Sequence, residues 1–144
     1  MNAKRTIAVV IVAAACLAGC GSSDAPPEDA SPVVLKDVGH DDLKQVTLTP
    51  GAAERLAVET AKVGPGSTSG RLTIPYPAVV YAGDGSTWTY TTVGQYSYVR
   101  APITVVSIVG EVATLSTGPA AGTEVVVVGA PELLGAELEI SGEE

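Results

Sequence analysis

Phenylalanine is absent from this chain, and tryptophan occurs once. With so few large rings, Val, Ile, Leu and Ala have to fill any core. Histidine also occurs once, at His40, ahead of the segment that carries most of the strand pattern. A Ser-His-Asp arrangement would have to recruit it from a linker, so catalysis of that kind is not expected. Basic side chains are scarce, with 8 Lys and Arg against 16 Asp and Glu and a net charge of −8. A surface of that sign repels phosphate, which sets nucleic acid aside as a partner. There are only two cysteines, Cys16 and Cys20. No long apolar run exists either. Thr6 to Gly19 is roughly 14 residues, whereas a spanning helix needs about 20.

What is present begins at the N-terminus. Lys4 and Arg5, a short apolar stretch and small residues before a break make a secretory signal. Leu17-Ala18-Gly19-Cys20 follows that stretch and resembles the lipobox of bacterial lipoproteins. The resemblance implies that Leu17, Ala18 and Gly19 are recognised, that the chain is cut before Cys20, and that the Cys20 thiol is diacylated. Membrane lipid is then a partner through Cys20, and the mature chain sits on the extracytoplasmic face of the cell membrane. Two or three acyl chains, at about 0.8 kcal/mol per buried methylene, make a stable attachment. An ordinary secretory signal with a chance cysteine is the competing reading. Loss of residues 1–19 removes Cys16, Lys4 and Arg5, leaving 6 basic and 16 acidic side chains and a formal charge of −10. A disulfide is then unavailable, so burial must supply the stability.

Three segments follow: a signal over residues 1–19, a lipidated cysteine with a flexible linker over 20–43, and a β domain over 44–144. Gly21 to Ser31 is polar, acidic and proline-bearing, the composition of a disordered tether. Val33 to Leu35 suits a short strand or an extended segment. Gln45 to Leu48 alternates like a half-buried strand. Thr49-Pro50 reads as a helix start, with Thr49 as N-cap and Pro50 at the first helical position. Beyond Gly64-Pro65-Gly66-Ser67, a loop, the pattern predicts successive strands over 71–74, 78–81, 87–93, 96–105, 112–115 and 124–128. Ala136 to Ile140 also alternates and is expected to close the sheet. Trp88 and Tyr90 should share one face of the 87–93 strand, with Thr87, Thr89 and Thr91 on the other. The expected fold is all-β, a small barrel or sandwich of about eight short strands with one short helix.

Several stretches together resemble the C-terminal part of the periplasmic adaptor subunits, or membrane fusion proteins, of efflux pumps. Ile74-Pro75-Tyr76-Pro77-Ala78-Val79-Val80 is similar to that family's Ile-Pro-x-x-Ala-Val strand. Gly85 to Tyr90 resembles its Gly-x-x-Trp-Val-Tyr strand, and Tyr98 to Ile103 its aromatic-Arg-Pro segment. Ser116 to Val127 resembles Ser-Gly-Leu-x-x-Gly-Asp-x-Val-Val with Pro119 in place of the Leu, and Gly129 to Gly135 the closing Gly-Ala-x-x-Leu-x-Gly. Val46 to Thr60 is similar to the segment that opens the adaptors' mature domain. Full adaptors insert a lipoyl-like domain and a long helical hairpin where this chain has only Gly64 to Gly70. The resemblance therefore implies a membrane-proximal β domain, non-catalytic and accessory to an inner-membrane transporter permease, and leaves assembly into an oligomer open. No cofactor is implied. A copper-type role through methionines has no support, because the only Met is Met1.

The remaining constellations have plain readings. His40-Asp41-Asp42 carries metal-ligand types, but sequential ligands in a linker do not converge, so no metal site is expected. Glu137 and Glu139 would share an exposed strand edge. Gly83-Asp84-Gly85 and Gly118 to Gly122 read as turns, since no Lys-Ser or Lys-Thr follows to hold phosphate. Trp88, Tyr96, Tyr98 and Arg100 flank one hairpin and are either core or a partner interface. On the interface reading, Arg100→Glu weakens transporter association and leaves the melting temperature unchanged. A free-standing lipoprotein that binds a small ligand, glycan or cell-wall fragment is the rival function.

Overall fold

The computed structural model describes residues 31–39 and 43–142. Among the described residues eleven strands form two antiparallel sheets, and two helices accompany them. The fold is all-β, as the strand spacing predicts. The large sheet has the order β1 (Val33–Asp37), β2 (Lys44–Leu48), β8 (Ser97–Pro102), β7 (Thr87–Gly94), β11 (Glu124–Val128), β3 (Glu59–Lys62), with β6 (Val80–Tyr81) also paired to β7. The small sheet runs β4 (Gly64–Pro65), β5 (Leu72–Pro75), β10 (Val112–Thr117), β9 (Thr104–Val109). Pro75 and Pro77 do not interrupt a central strand. The chain bends there into a 3₁₀ turn, Tyr76–Ala78.

Pairing starts at Val33, ahead of Lys44, where the β domain was expected to begin. The β1–β2 ladder aligns Asp37 with Lys44, and their side chains lie 3.4 Å apart. α1 (Pro50–Leu56) begins as its sequence dictates: Thr49 stays extended and its hydroxyl accepts from the Ala52 amide at 3.3 Å. Ala52 and Ala53 on its inner side are buried.

The C-terminal segment corrects the sequence reading. Residues 136–140 belong not to a strand but to α2 (Ala130–Ser141). Their alternation is incidental. Ala130 to Glu139 contains no β-branched residue and is rich in Ala, Leu and Glu, which lose little side-chain freedom in a helix. Pro131 in the first turn is compatible with helix, since its missing N–H has no intrahelical partner there. Gly129 makes the sharp exit from β11 at φ 90°; a Cβ there would lie 3.2 Å from Val58 Cγ2.

Two apolar clusters lie on opposite sides of the large sheet. Under the helices are Val46, Leu48, Val80, Tyr90, Tyr98, Val126, Ala130 and Leu133. Between the sheets are Val63, Ile74, Val79, Ile103, Ala113, Leu115 and Val125. Adjacent Val125 and Val126 of β11 serve different clusters, because successive strand residues point to opposite faces. A single sheet thus supports a helical layer on one face and a second sheet on the other.

Candidate functional site

The chemistry-bearing side chains that converge are on β7, β8 and α2. In the β7–β8 ladder Tyr90 stands opposite Arg100 and Trp88 opposite Pro102. Directly opposed residues share a face, so this register puts Trp88, Tyr90 and Arg100 together on the helix-covered side. α2 then lowers Glu137 onto them. Arg100 donates from Nε (3.1 Å) and Nη2 (2.9 Å) to Glu137 Oε1. Tyr90 donates its hydroxyl to Glu137 Oε2 at 2.6 Å. The Glu137 side chain is 2% exposed and that of Arg100 14%.

The network continues outward. The Arg100 guanidinium carbon lies 4.9 Å from the centre of the Trp88 ring, a cation–π contact. Trp88 Nε1 donates to Ser86 Oγ at 2.6 Å, and Ser86 Oγ donates to Asp84 Oδ1 at 2.6 Å. Asp84 also accepts from the Ser86 amide at 2.9 Å. These bonds lower the Asp84 pKa, the Ser86 hydroxyl contributing most. Burial first, and the bond to Glu137 second, push the Tyr90 phenol well above its ordinary 10.0. Desolvation likewise raises Tyr98. Chemically the arrangement is a clamp: both Glu137 oxygens and the Tyr90 hydroxyl are engaged with one another or with Arg100.

Sequence reasoning found Trp88 and Arg100 but assigned Glu137 to an exposed edge. Glu137 is instead buried, while Glu139 is exposed. The signal that finds it is helical: Ala130, Leu133 and Glu137 recur at spacings of three and four. Tyr98 is 5% exposed and packs in the core, and Tyr96 is half-buried against the same cluster. Tyr96 takes a positive φ of 55° at the β7–β8 turn, where its carbonyl accepts from the Leu48 amide at 2.9 Å. So Tyr98 presents little surface to a partner, and Arg100 is engaged with Glu137. Of the four expected interface residues, Trp88, Tyr96 and Arg100 are half-buried and Tyr98 is buried, and Arg100 is committed to Glu137.

A shallow groove of about 410 Å³ lies between α1, α2 and the start of β1, lined by Val33, Arg55, Leu56, Glu132 and Glu139 among others. Among the described residues no group of three His, Cys, Asp or Glu could hold a metal ion. No described helix is long and apolar enough to cross a membrane. Leu17, Ala18, Gly19, Cys20 and the His40-Asp41-Asp42 run lie outside the described residues. Compared with protein-family models, curated proteins and solved structures, the chain matches none.

Proposed function

We propose that the chain is a lipid-anchored extracytoplasmic accessory protein that contacts a membrane permease of the efflux type, and that it performs no catalysis itself. One observation carries the reading: Leu17-Ala18-Gly19-Cys20 directly after a basic start and a short apolar run. The ordered resemblance to adaptor segments from Val46 to Gly135 supplies the transporter. The clamp is consistent with a contact module, since its carboxylate and phenol are tied up in holding α2 against the sheet. Trp88 and Tyr96 are the contact residues retained from the hairpin, aromatics being favoured at interface centres.

The test is metabolic labelling with a palmitate analogue, followed by crosslinking and mass spectrometry in intact membranes. Label on the wild type, none on Cys20→Ala, and recovery of a permease are expected. An unlabelled chain in the cytosol overturns the anchor; recovery of cell-wall fragments without a permease overturns the transporter role. The rival, a lipoprotein binding a small ligand or glycan, is favoured only by the groove beside Arg55, whose size falls within the roughly 300–1,000 Å³ of ligand sites.

A further inference from the structure

Sheet edges expose unpaired N–H and C=O groups, and proteins blunt them with charge, proline, shortness or cover. The edges of this fold are unequal. β1 carries Lys36 and Asp37, and β3 carries Glu59 and Lys62. β4 is two residues long and ends in Pro65. β9 is six residues, Thr-Val-Val-Ser-Ile-Val, with no charge and no proline. It pairs with β10 on one side and, among the described strands, with none on the other. Val106, Ile108 and Val109 are 52%, 41% and 76% exposed. Its one blunting device is a bulge, where Val106 has no opposite residue on β10.

We propose that β9 is a self-association edge, at which a second copy of this chain adds its own β9 antiparallel and merges two four-stranded sheets into one. Charge selects this occupant. The chain is strongly acidic, with a net charge of −8, so two copies repel across most approaches. Residues 101–110, which hold β9, contain no ionisable side chain. An edge-on approach through that strip is where like-charged copies meet without opposing charges. Pairing that sets Ser107 against its own copy, with Val106 bulged out of each strand, sets Val105 against Ile108 and Thr104 against Val109. It carries Glu111 past the strand end, opposite uncharged Pro102. Five of the six β9 residues are β-branched, the type that packs best in cross-strand pairs. The contact is isologous and uses the edge up on both copies. The opposite edge of the small sheet is β4, short and proline-ended, so the assembly stops at two. This inference stands independently of the anchor and of the permease.

Sedimentation equilibrium of the full chain in density-matched detergent tests it, together with concentration-dependent amide exchange. A reversible monomer–dimer equilibrium is expected, with β9 amides slowing as the dimer forms. Val106→Lys and Val109→Lys, each on an exposed position, place a charge in an apolar seam and should weaken the dimer about tenfold or more. Their melting temperatures should stay near the wild type's, as for other surface changes. A monomer up to about 1 mM, equivalent to an association weaker than about 4 kcal/mol, overturns the proposal. So does a dimer indifferent to both lysines, or one whose β9 amides exchange as fast as in the monomer. Open-ended growth rather than a dimer overturns the closure at β4. Protection of β9 only when membrane extract is added assigns the edge to a foreign strand instead.

Discussion

The two faces of the large sheet are packed by different means. The face shared with the small sheet is filled almost entirely by aliphatic side chains, Ile74, Leu115, Val125 and their neighbours. The helix-covered face holds both buried tyrosines and the Arg100–Glu137–Tyr90 clamp. Aliphatic contacts are non-directional and tolerate sliding. A doubly bonded carboxylate accepts only one placement of its helix. The chain therefore joins sheet to sheet by area and joins helix to sheet by geometry. That difference suits α2, which is amphipathic only if Glu137 counts among its inward residues.

Breaking the clamp gives the largest expected effect. Arg100→Glu sets two carboxylates against each other in a nearly dry site and should cost about 3–5 kcal/mol, the loss typical of an uncompensated buried charge. This reverses the expectation of an unchanged melting temperature that the interface reading of Arg100 carried. Urea unfolding of the full chain measures it. Replacing the group together, Arg100→Met with Glu137→Leu and Tyr90→Phe, should recover most of the loss, because a well-packed apolar set often equals a buried ion pair. Failure of the triple variant to recover would mean the clamp specifies the position of α2 rather than merely avoiding a penalty.

Apolar deletions should be blind to the face they are made on. Leu115 and Leu133 are both fully buried, one in each cluster. Leu→Ala at either should cost about 2–5 kcal/mol. The faces separate in a second readout, the emission of Trp88, the chain's only tryptophan. It stacks on Arg100, whose position depends on α2. Leu133→Ala should shift that emission under native conditions and Leu115→Ala should not. Equal shifts would show that the two cores are mechanically one.

Legibility in the sequence followed the range of the interaction. The start of α1 was readable because Thr49 and Pro50 act within one turn. The alternation of Thr87 to Val93 was readable because a strand's two faces differ, and Trp88 and Tyr90 do share the helix-covered side. α2 was not readable as a helix because its inward stripe includes a carboxylate, and a carboxylate counts as polar until its partner is known. That partner, Arg100, lies 37 positions away. The inward turn of Arg100 was hidden for the same reason. The bare state of β9 was also illegible, since an edge is a property of strand order and not of local pattern.

Alkaline pH should act on one face selectively. The Tyr90 and Tyr98 phenols are raised above 10.0 in the folded chain, and both belong to the helix-covered cluster. A group whose folded pKa is raised binds its proton more tightly when folded. Its stabilisation is complete below the unfolded value and drains away as pH climbs from about 10 towards the folded value. Each such tyrosine contributes a slope of up to about 1.4 kcal/mol per pH unit. Stability measured by urea titration should therefore fall above about pH 10, and Tyr90→Phe should flatten part of that limb. Amides between the sheets should lose protection no earlier than those under α2. An unchanged slope in Tyr90→Phe would show that Tyr90 does not drive the alkaline loss.

The smallest expected effect tests the aliphatic face for its one polar flaw. Thr89 lies between Trp88 and Tyr90 on β7 and so points away from the helices, towards the small sheet. It is fully buried, and its Oγ1 has no hydrogen-bond partner among the described residues. A buried hydroxyl without a partner forfeits its hydration and gains nothing in return. Thr89→Val keeps the β-branched shape, adds a methyl where the hydroxyl was, and should stabilise by up to about 1 kcal/mol. The opposite change on the other face, Tyr90→Phe at neutral pH, removes a hydroxyl that Glu137 uses and should destabilise by about 1–3 kcal/mol. Two neighbouring residues on one strand, each losing one oxygen, should thus move the urea midpoint in opposite directions. If Thr89→Val lowers the midpoint as well, the inner face holds its own polar contact to that hydroxyl, and the contrast between directional and non-directional packing fails at the strand where it is sharpest.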